Sequence, residues 1–227
     1  MDLAEVSTVF AAESEALGRA LDGLPEGGWD RPTRCEPWPV RELLGHLCVV
    51  LDWVPGMVDA PAPPVPEVSA TGYYRPDHRF DAATDAARIG LGRDRAAHHP
   101  SGPALLADFT RTWRTVAARC RDEPARRVVR TRHGDAMLLA DFLLTRIVEL
   151  AVHGLDLADA LDREPWLTAP AGDAVLHLLA GPGARGAAAE LGWSRADFLR
   201  RGTGRAPLAP DESARLARLG VNRLALG

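Results

Sequence analysis

Glu149, His153 and Asp156 stand four and three residues apart, a spacing that lines two carboxylates and an imidazole along one face of a helix. They sit in residues 141–161, DFLLTRIVELAVHGLDLADAL, which hold no proline and one glycine and repeat their apolar residues at three and four. With Glu149 at zero on a wheel, Phe142, Arg146, His153, Asp156 and Ala160 fall within roughly 60° of it. Leu143, Ile147, Leu150 and Leu157 form an apolar arc on one flank, and Val148, Val152 and Leu155 form another. A helix apolar on both flanks is buried, so the acidic and imidazole stripe is pressed into a core. An unpaired buried carboxylate costs several kcal/mol, so either a basic side chain or a metal ion must compensate it.

Glu149 and His153 can reach one point, but a zinc-type centre wants about three protein ligands and an open position. His46 is a candidate third, on a helix expected from about residue 39 to 53 whose core face carries Val40, Leu43, Leu44, Leu47 and Leu51. Two imidazoles and one carboxylate suit zinc and also non-haem iron(II). Spacing alone does not join residues so far apart. The alternative is a buried Glu149–Arg146 pair with two histidines satisfied in the core.

The remaining elements must position these groups. Residues 2–24 read as an amphipathic first helix, residues 104–121 as a third, and residues 141–161 as a fourth. Between the second and third lie residues 55–103, with a stiff proline-rich connector at 60–66, an ordered loop at 73–76 and a weak helix at 81–95. Residues 127–131 suit a short strand, with His133, Gly134 and Asp135 as its turn. Beyond Pro165 three short helices are expected, at 171–180, 194–200 and 211–219. The fold class is therefore mainly all-α: a four-helix bundle at 1–164, a long connection between its second and third helices, and a small C-terminal helical extension at 165–227.

The totals narrow the partners. A chain of 227 residues with net charge -4 and pI near 6 gives no electrostatic reason to expect nucleic acid. No apolar run is long enough to span a bilayer, and no signal peptide is visible at the N-terminus. Three scattered cysteines, Cys35, Cys48 and Cys120, argue for a reducing, cytoplasmic setting rather than a disulfide framework. All 27 basic residues are arginine, a composition that points to a GC-rich bacterial genome.

Residues 29–47, WDRPTRCEPWPVRELLGHL, and residues 145–158, TRIVELAVHGLDLA, resemble the two motifs of the mycothiol-dependent maleylpyruvate isomerase family, part of the DinB-like four-helix metalloenzymes. The resemblance covers roughly residues 1–160. Carried over by position, it implies that His46, Glu149 and His153 ligate a divalent metal, usually zinc. It also implies mycothiol as cosubstrate and a small-molecule electrophile as partner. Asp156 matches the acidic residue one turn past the second histidine and is the expected catalytic group, orienting a ligand histidine or acting on a proton. The chain departs from the isomerase beyond Pro165.

The expected function is an S-transferase or cis–trans isomerase in which a thiolate adds to an electrophile. A metal-stabilised bundle that binds without turnover and a thiol-independent metal hydrolase are the alternatives. Other candidates read as structural. His98, His99 and His133 are loop residues, His177 is a surface or packing residue, and Cys35 and the tryptophans are packing. Arg200, Arg201 and Arg205 read as a solvated face.

Overall fold

The structure, a computed structural model, describes residues 1–75 and 81–221, without the side chains of residues 182 and 185. Four long helices carry it: α1 (Leu3–Leu21), α3 (Val40–Asp59), α6 (Gly102–Arg121) and α7 (Leu139–Ala160). One-turn helices α2 (Glu26–Trp29) and α4 (Ala70–Tyr73) punctuate the loops, and α5 (Ala82–Ala97) lies in the long connection. A hairpin of β1 (Val128–Arg130) and β2 (Ala136–Leu138) precedes α7. After it come α8 (Ala169–Ala180), α9 (Ala184–Leu191), α10 (Arg195–Gly202) and α11 (Pro210–Arg218). No described helix is long and apolar enough to cross a membrane.

The four long helices pack in a ring, α1 on α7, α7 on α3, α3 on α6 and α6 on α1. Consecutive α1 and α3 therefore sit on one diagonal and α6 and α7 on the other, and α3 and α7 are neighbours along one side. Their starts are written locally. Asp2 and Glu5 form a capping box on α1, and Ser101 caps α6 through the Ala104 N–H. α7 has no side-chain cap; instead its first N–H, on Leu139, donates to the Arg127 carbonyl at 2.8 Å, so the hairpin starts the helix.

Two expectations from sequence need correction. The second helix does not stop near Trp53 but runs through Pro55 to Asp59. Pro55 removes one helical N–H, and burial of Val54, Met57 and Val58 offsets that loss. Residues 184–191 form a helix where none was expected, because Gly181, Pro182, Gly183 and Gly186 read as a break around a segment of only eight residues. The weak helix of the long connection does exist as α5 and lies along α3. Gly45 and Gly92 allow that close approach: a Cβ on Gly45 would meet the Gly92 carbonyl oxygen at 2.4 Å. Of the loop expected at 73–76, Tyr73 closes α4 and Pro76 lies outside the described residues. The proline-rich connector is tied to the hairpin by the Glu67 and Val68 N–H groups, which both donate to the Ala136 carbonyl.

Candidate metal centre

α3 brings His46, and α7 brings Glu149 and His153, to one point in the core. His46 is 3 % exposed and turned inward with Leu43, Leu47 and Val50. Its ring stacks on Trp38, at 4.7 Å between centroids, and meets His153 edge-on at 5.2 Å. The Nε2 atoms of His46 and His153 lie 3.4 and 3.3 Å from the same oxygen, Oε2 of Glu149. One ligand-capable atom from each residue lies within 4.8 Å of the other two. Among the described residues no fourth such side chain joins this trio. Two imidazole nitrogens and one carboxylate oxygen at that separation are a donor set that a divalent cation accepts. Nδ1 of His46 is buried and makes no hydrogen bond.

Charge in this core is sharply divided. Burial pushes His46 down to about 4, so it is neutral near pH 7. Burial also works to raise the Glu149 carboxyl, but hydrogen bonds from His153 and His46 and the Arg146 charge together hold it well below its ordinary value. Burial disfavours the charged form of His153, yet hydrogen bonds to Asp156, Cys35 and Glu149 hold its pKa well above the ordinary value. These contacts favour a charged His153 imidazole between two ionised carboxylates, beside a neutral His46.

Asp156 lies behind His153. It is 1 % exposed, and its Oδ2 accepts from His153 Nδ1 at 3.0 Å. That contact leaves Nε2 as the nitrogen facing Glu149 and the space beyond it. Asp156 does not line the adjoining cavity and is linked to it through the His153 imidazole and the Cys35 thiol. Cys35 donates to the same Oδ2 at 3.2 Å, and its sulfur lies 3.7 Å from His153 Nδ1. Its thiol also borders the cavity, so Cys35 is more than packing. The pairing of Glu149 with Arg146, weighed from sequence as the alternative to a metal, is present at 3.8 Å but does not displace the histidines. Arg146, 1 % exposed, is held from the other side by the Phe142 ring at 4.7 Å and by Thr145.

The trio forms one wall of a cavity of about 180 Å³. At roughly 10–15 Å³ per water this has room for a small molecule. Trp53 from α3, Tyr73 from α4, Arg88 and Ile89 from α5, and Arg132 and His133 from the hairpin complete it. Trp38 and Trp53, expected as core, do double duty as core and cavity wall, and His133 is not a bystander in a loop. Arg132 stacks over the Trp53 ring at 4.4 Å and, among the described residues, has no carboxylate partner. His98 and His177 stay at the surface, and His99 pairs with Asp108 at 3.0 Å, remote from the cavity. Arg205, expected on a solvated face, is instead buried against Asp156.

A family profile described as the mycothiol maleylpyruvate isomerase N-terminal domain matches residues 10–158. Among solved structures, a histidine-to-alanine mutant of the mycothiol-dependent maleylpyruvate isomerase aligns with a TM-score of 0.51 at 14 % identity, over 69 % of this chain and 61 % of that one. A second structure of the mycothiol-dependent maleylpyruvate isomerase aligns at 0.48 and 15 % identity over the same shares. The likeness to the first extends to the fold, and the alignment spans about three-fifths of that isomerase's length. No curated protein sequence matches the chain.

Proposed function

The chain belongs to the family of the mycothiol maleylpyruvate isomerase N-terminal domain, and on that premise we propose that it is a metal-dependent enzyme that activates mycothiol for addition to an electrophilic small molecule. The observation that carries this reading is the convergence of His46, Glu149 and His153 on the wall of a cavity large enough for a substrate. A structural metal site would be closed by a fourth protein ligand, and none joins the trio among the described residues.

In this reading His46, Glu149 and His153 hold the cation, with zinc the expected ion. A divalent cation supplies Lewis acidity that lowers the pKa of a thiol reaching its open side. Asp156 is a positioning residue: it accepts the His153 Nδ1 proton and so fixes which ring nitrogen faces the cation. The Trp38 and Trp53 walls exclude water. Arg132, stacked on Trp53 and without a carboxylate partner among the described residues, favours an electrophile that carries a negative charge. The thiolate sulfur would then add to one carbon of a conjugated C=C bond, whose π pair moves onto the electron-withdrawing group. In a cis–trans isomerase the resulting single bond rotates and return of the pair expels the thiolate, whereas in an S-transferase a proton adds to the other carbon and the C–S bond is retained.

The test is loss of electrophiles from a panel by the zinc-loaded full chain, with and without mycothiol. Turnover that requires both, and that survives Cys35→Ser, is the expected result. Turnover without the thiol would replace this reading with a metal hydrolase, and loss with Cys35→Ser at intact metal content would make the protein's own thiol the nucleophile.

A further inference from the structure

The matched family region ends at residue 158, yet a side chain well beyond it reaches the site. Arg205 follows α10, where Gly204 at φ +75 turns the chain back toward α7. The turn is closed by the Arg205 and Ala206 N–H groups, which both donate to the Arg200 carbonyl. Arg205 is 6 % exposed at its side chain and grips both oxygens of Asp156. Its Nε lies 2.9 Å from Oδ1 and 3.1 Å from Oδ2, and Nη2 lies 3.0 Å from Oδ2. The backbone of this turn is itself held from the loop that carries Cys35, since Arg34 donates to the Arg205 and Gly204 carbonyls.

From this geometry we propose that Arg205 is a positioning residue of the metal centre, and that the C-terminal extension completes the centre rather than merely following it. The inference rests on the reading of His46, Glu149 and His153 as ligands. Asp156 fixes the His153 ring only if its own carboxylate plane is fixed, and a two-point guanidinium contact sets that plane as no single contact can. Without Arg205, Asp156 would keep His153, the Cys35 thiol and a 3.9 Å contact from Arg34, none of which spans both oxygens. The His153 imidazole would then lose its fixed direction toward Glu149 Oε2.

A pure tether exists for comparison. Arg200 on the same α10 pairs through two nitrogens with Asp159, one turn further along the same α7, and neither residue touches the trio. The experiment compares Arg205→Met, Arg205→Lys and Arg200→Met in the full chain. It reads Zn²⁺ affinity by competition with a chromophoric chelator, the visible spectrum of bound Co²⁺, and melting of the metal-free protein. Arg205→Met should weaken Zn²⁺ binding about 10-fold, the low end of what loss of the partner directly behind a ligand histidine costs because Asp156 itself remains, and should alter the Co²⁺ bands. Arg205→Lys should fall between it and the parent, because an ammonium cannot span both oxygens, and it carries the test if the methionine variant does not fold. Arg200→Met should lower the melting temperature while leaving affinity and spectrum unchanged. Equal affinity losses for Arg205→Met and Arg200→Met, or binding within twofold of the parent for both Arg205 variants, would overturn the proposal. Stoichiometric binding by the parent that disappears with His46→Ala establishes the ligand reading independently, so its failure and the failure of Arg205 are distinguishable. A parent chain that binds neither ion overturns both.

Discussion

Glu149→Gln isolates charge from shape at the centre. The substitution keeps side-chain volume, so it opens no cavity, but it removes the one negative charge shared by His46 at 3.4 Å, His153 at 3.3 Å and Arg146 at 3.8 Å. Breaking a buried ion pair costs roughly 3–5 kcal/mol, and Glu149 falls below that range because its side chain is 16 % exposed and His153 can shed its proton in response. The metal-free variant should therefore lose on the order of 2 kcal/mol. The larger difference lies in the response to zinc. At a free concentration a hundred times its dissociation constant, a ligand that binds only the folded state adds about 2.7 kcal/mol. For a chain of this size, at about 2–4 °C per kcal/mol, that raises the parent's melting temperature by roughly 5–10 °C. An amide oxygen is a neutral, weaker ligand. If it lowers affinity about a hundredfold, the same zinc concentration sits near the dissociation constant and adds only about 0.4 kcal/mol, roughly 1 °C. Differential scanning calorimetry with and without zinc reads both numbers. An equal zinc-induced rise in parent and variant would refute the role of Glu149, and no rise in the parent would refute the metal site itself.

Three other outcomes follow from the same geometry. Zinc affinity should climb about tenfold per pH unit upward from pH 6.5, because His153 is held protonated above its ordinary value and must lose that proton to bind, whereas His46 at about 4 is already neutral. The sign for the metal-free protein is opposite: a raised histidine pKa contributes stability that is complete below about 6.5 and is lost as pH rises through the folded value. The zinc-induced shift in melting should therefore widen with pH, and a flat profile between pH 6.5 and 8.5, a range of about two units above the ordinary histidine value, would contradict the protonation described. Arg132→Gln should raise KM for an anionic electrophile about tenfold or more, the loss of one charge-assisted contact, without changing zinc content; an equal effect on a neutral electrophile would show that it only shapes the wall. Gly45→Ala should destabilise the fold by about 1–3 kcal/mol in urea unfolding, because its Cβ would lie 2.4 Å from the Gly92 carbonyl oxygen and α5 must shift off α3. An unchanged midpoint would mean that the two helices do not meet there.

What could be read from the chain depended on how close in sequence the partners lie. Glu149, His153 and Asp156 share one helix, so a wheel places them on one stripe, and the flanking apolar arcs imply their burial. The four long helices α1, α3, α6 and α7 were likewise legible, since each carries its own apolar period, but the order in which they pack was not. His46 was not legible to the same degree: its helix could be drawn, but only the resemblance between residues 29–47 and a known motif joined it to a point about a hundred residues away. Trp53 was assigned to the core because it is aromatic, and nothing local distinguishes an aromatic that packs inward from one that walls a cavity. Arg132 and His133 reach the site only because β1 and β2 pair in register and swing their turn over α3, a long-range fact with no local sign.

Arg205 marks the limit most clearly. It sits among Arg200, Arg201, Gly202 and Gly204, a composition that elsewhere signals a solvated turn. Its partner is 49 residues upstream. The signal that could have found it is a deficit rather than a motif. With His153 assigned to a metal, Asp156 remains an ionised group that must be buried on the inner face of α7, and the arginine of that helix, Arg146, lies almost three turns too early to reach it. A buried carboxylate left over once the helix's own cations are spent requires a cation from elsewhere. Among the described residues the matched region supplies only Arg34, at 3.9 Å, so the demand falls on the C-terminal extension. Counting charges that a buried stripe cannot satisfy for itself is thus a way to ask which distant segment must fold onto it. In this chain that count leads from Asp156 to the turn after α10.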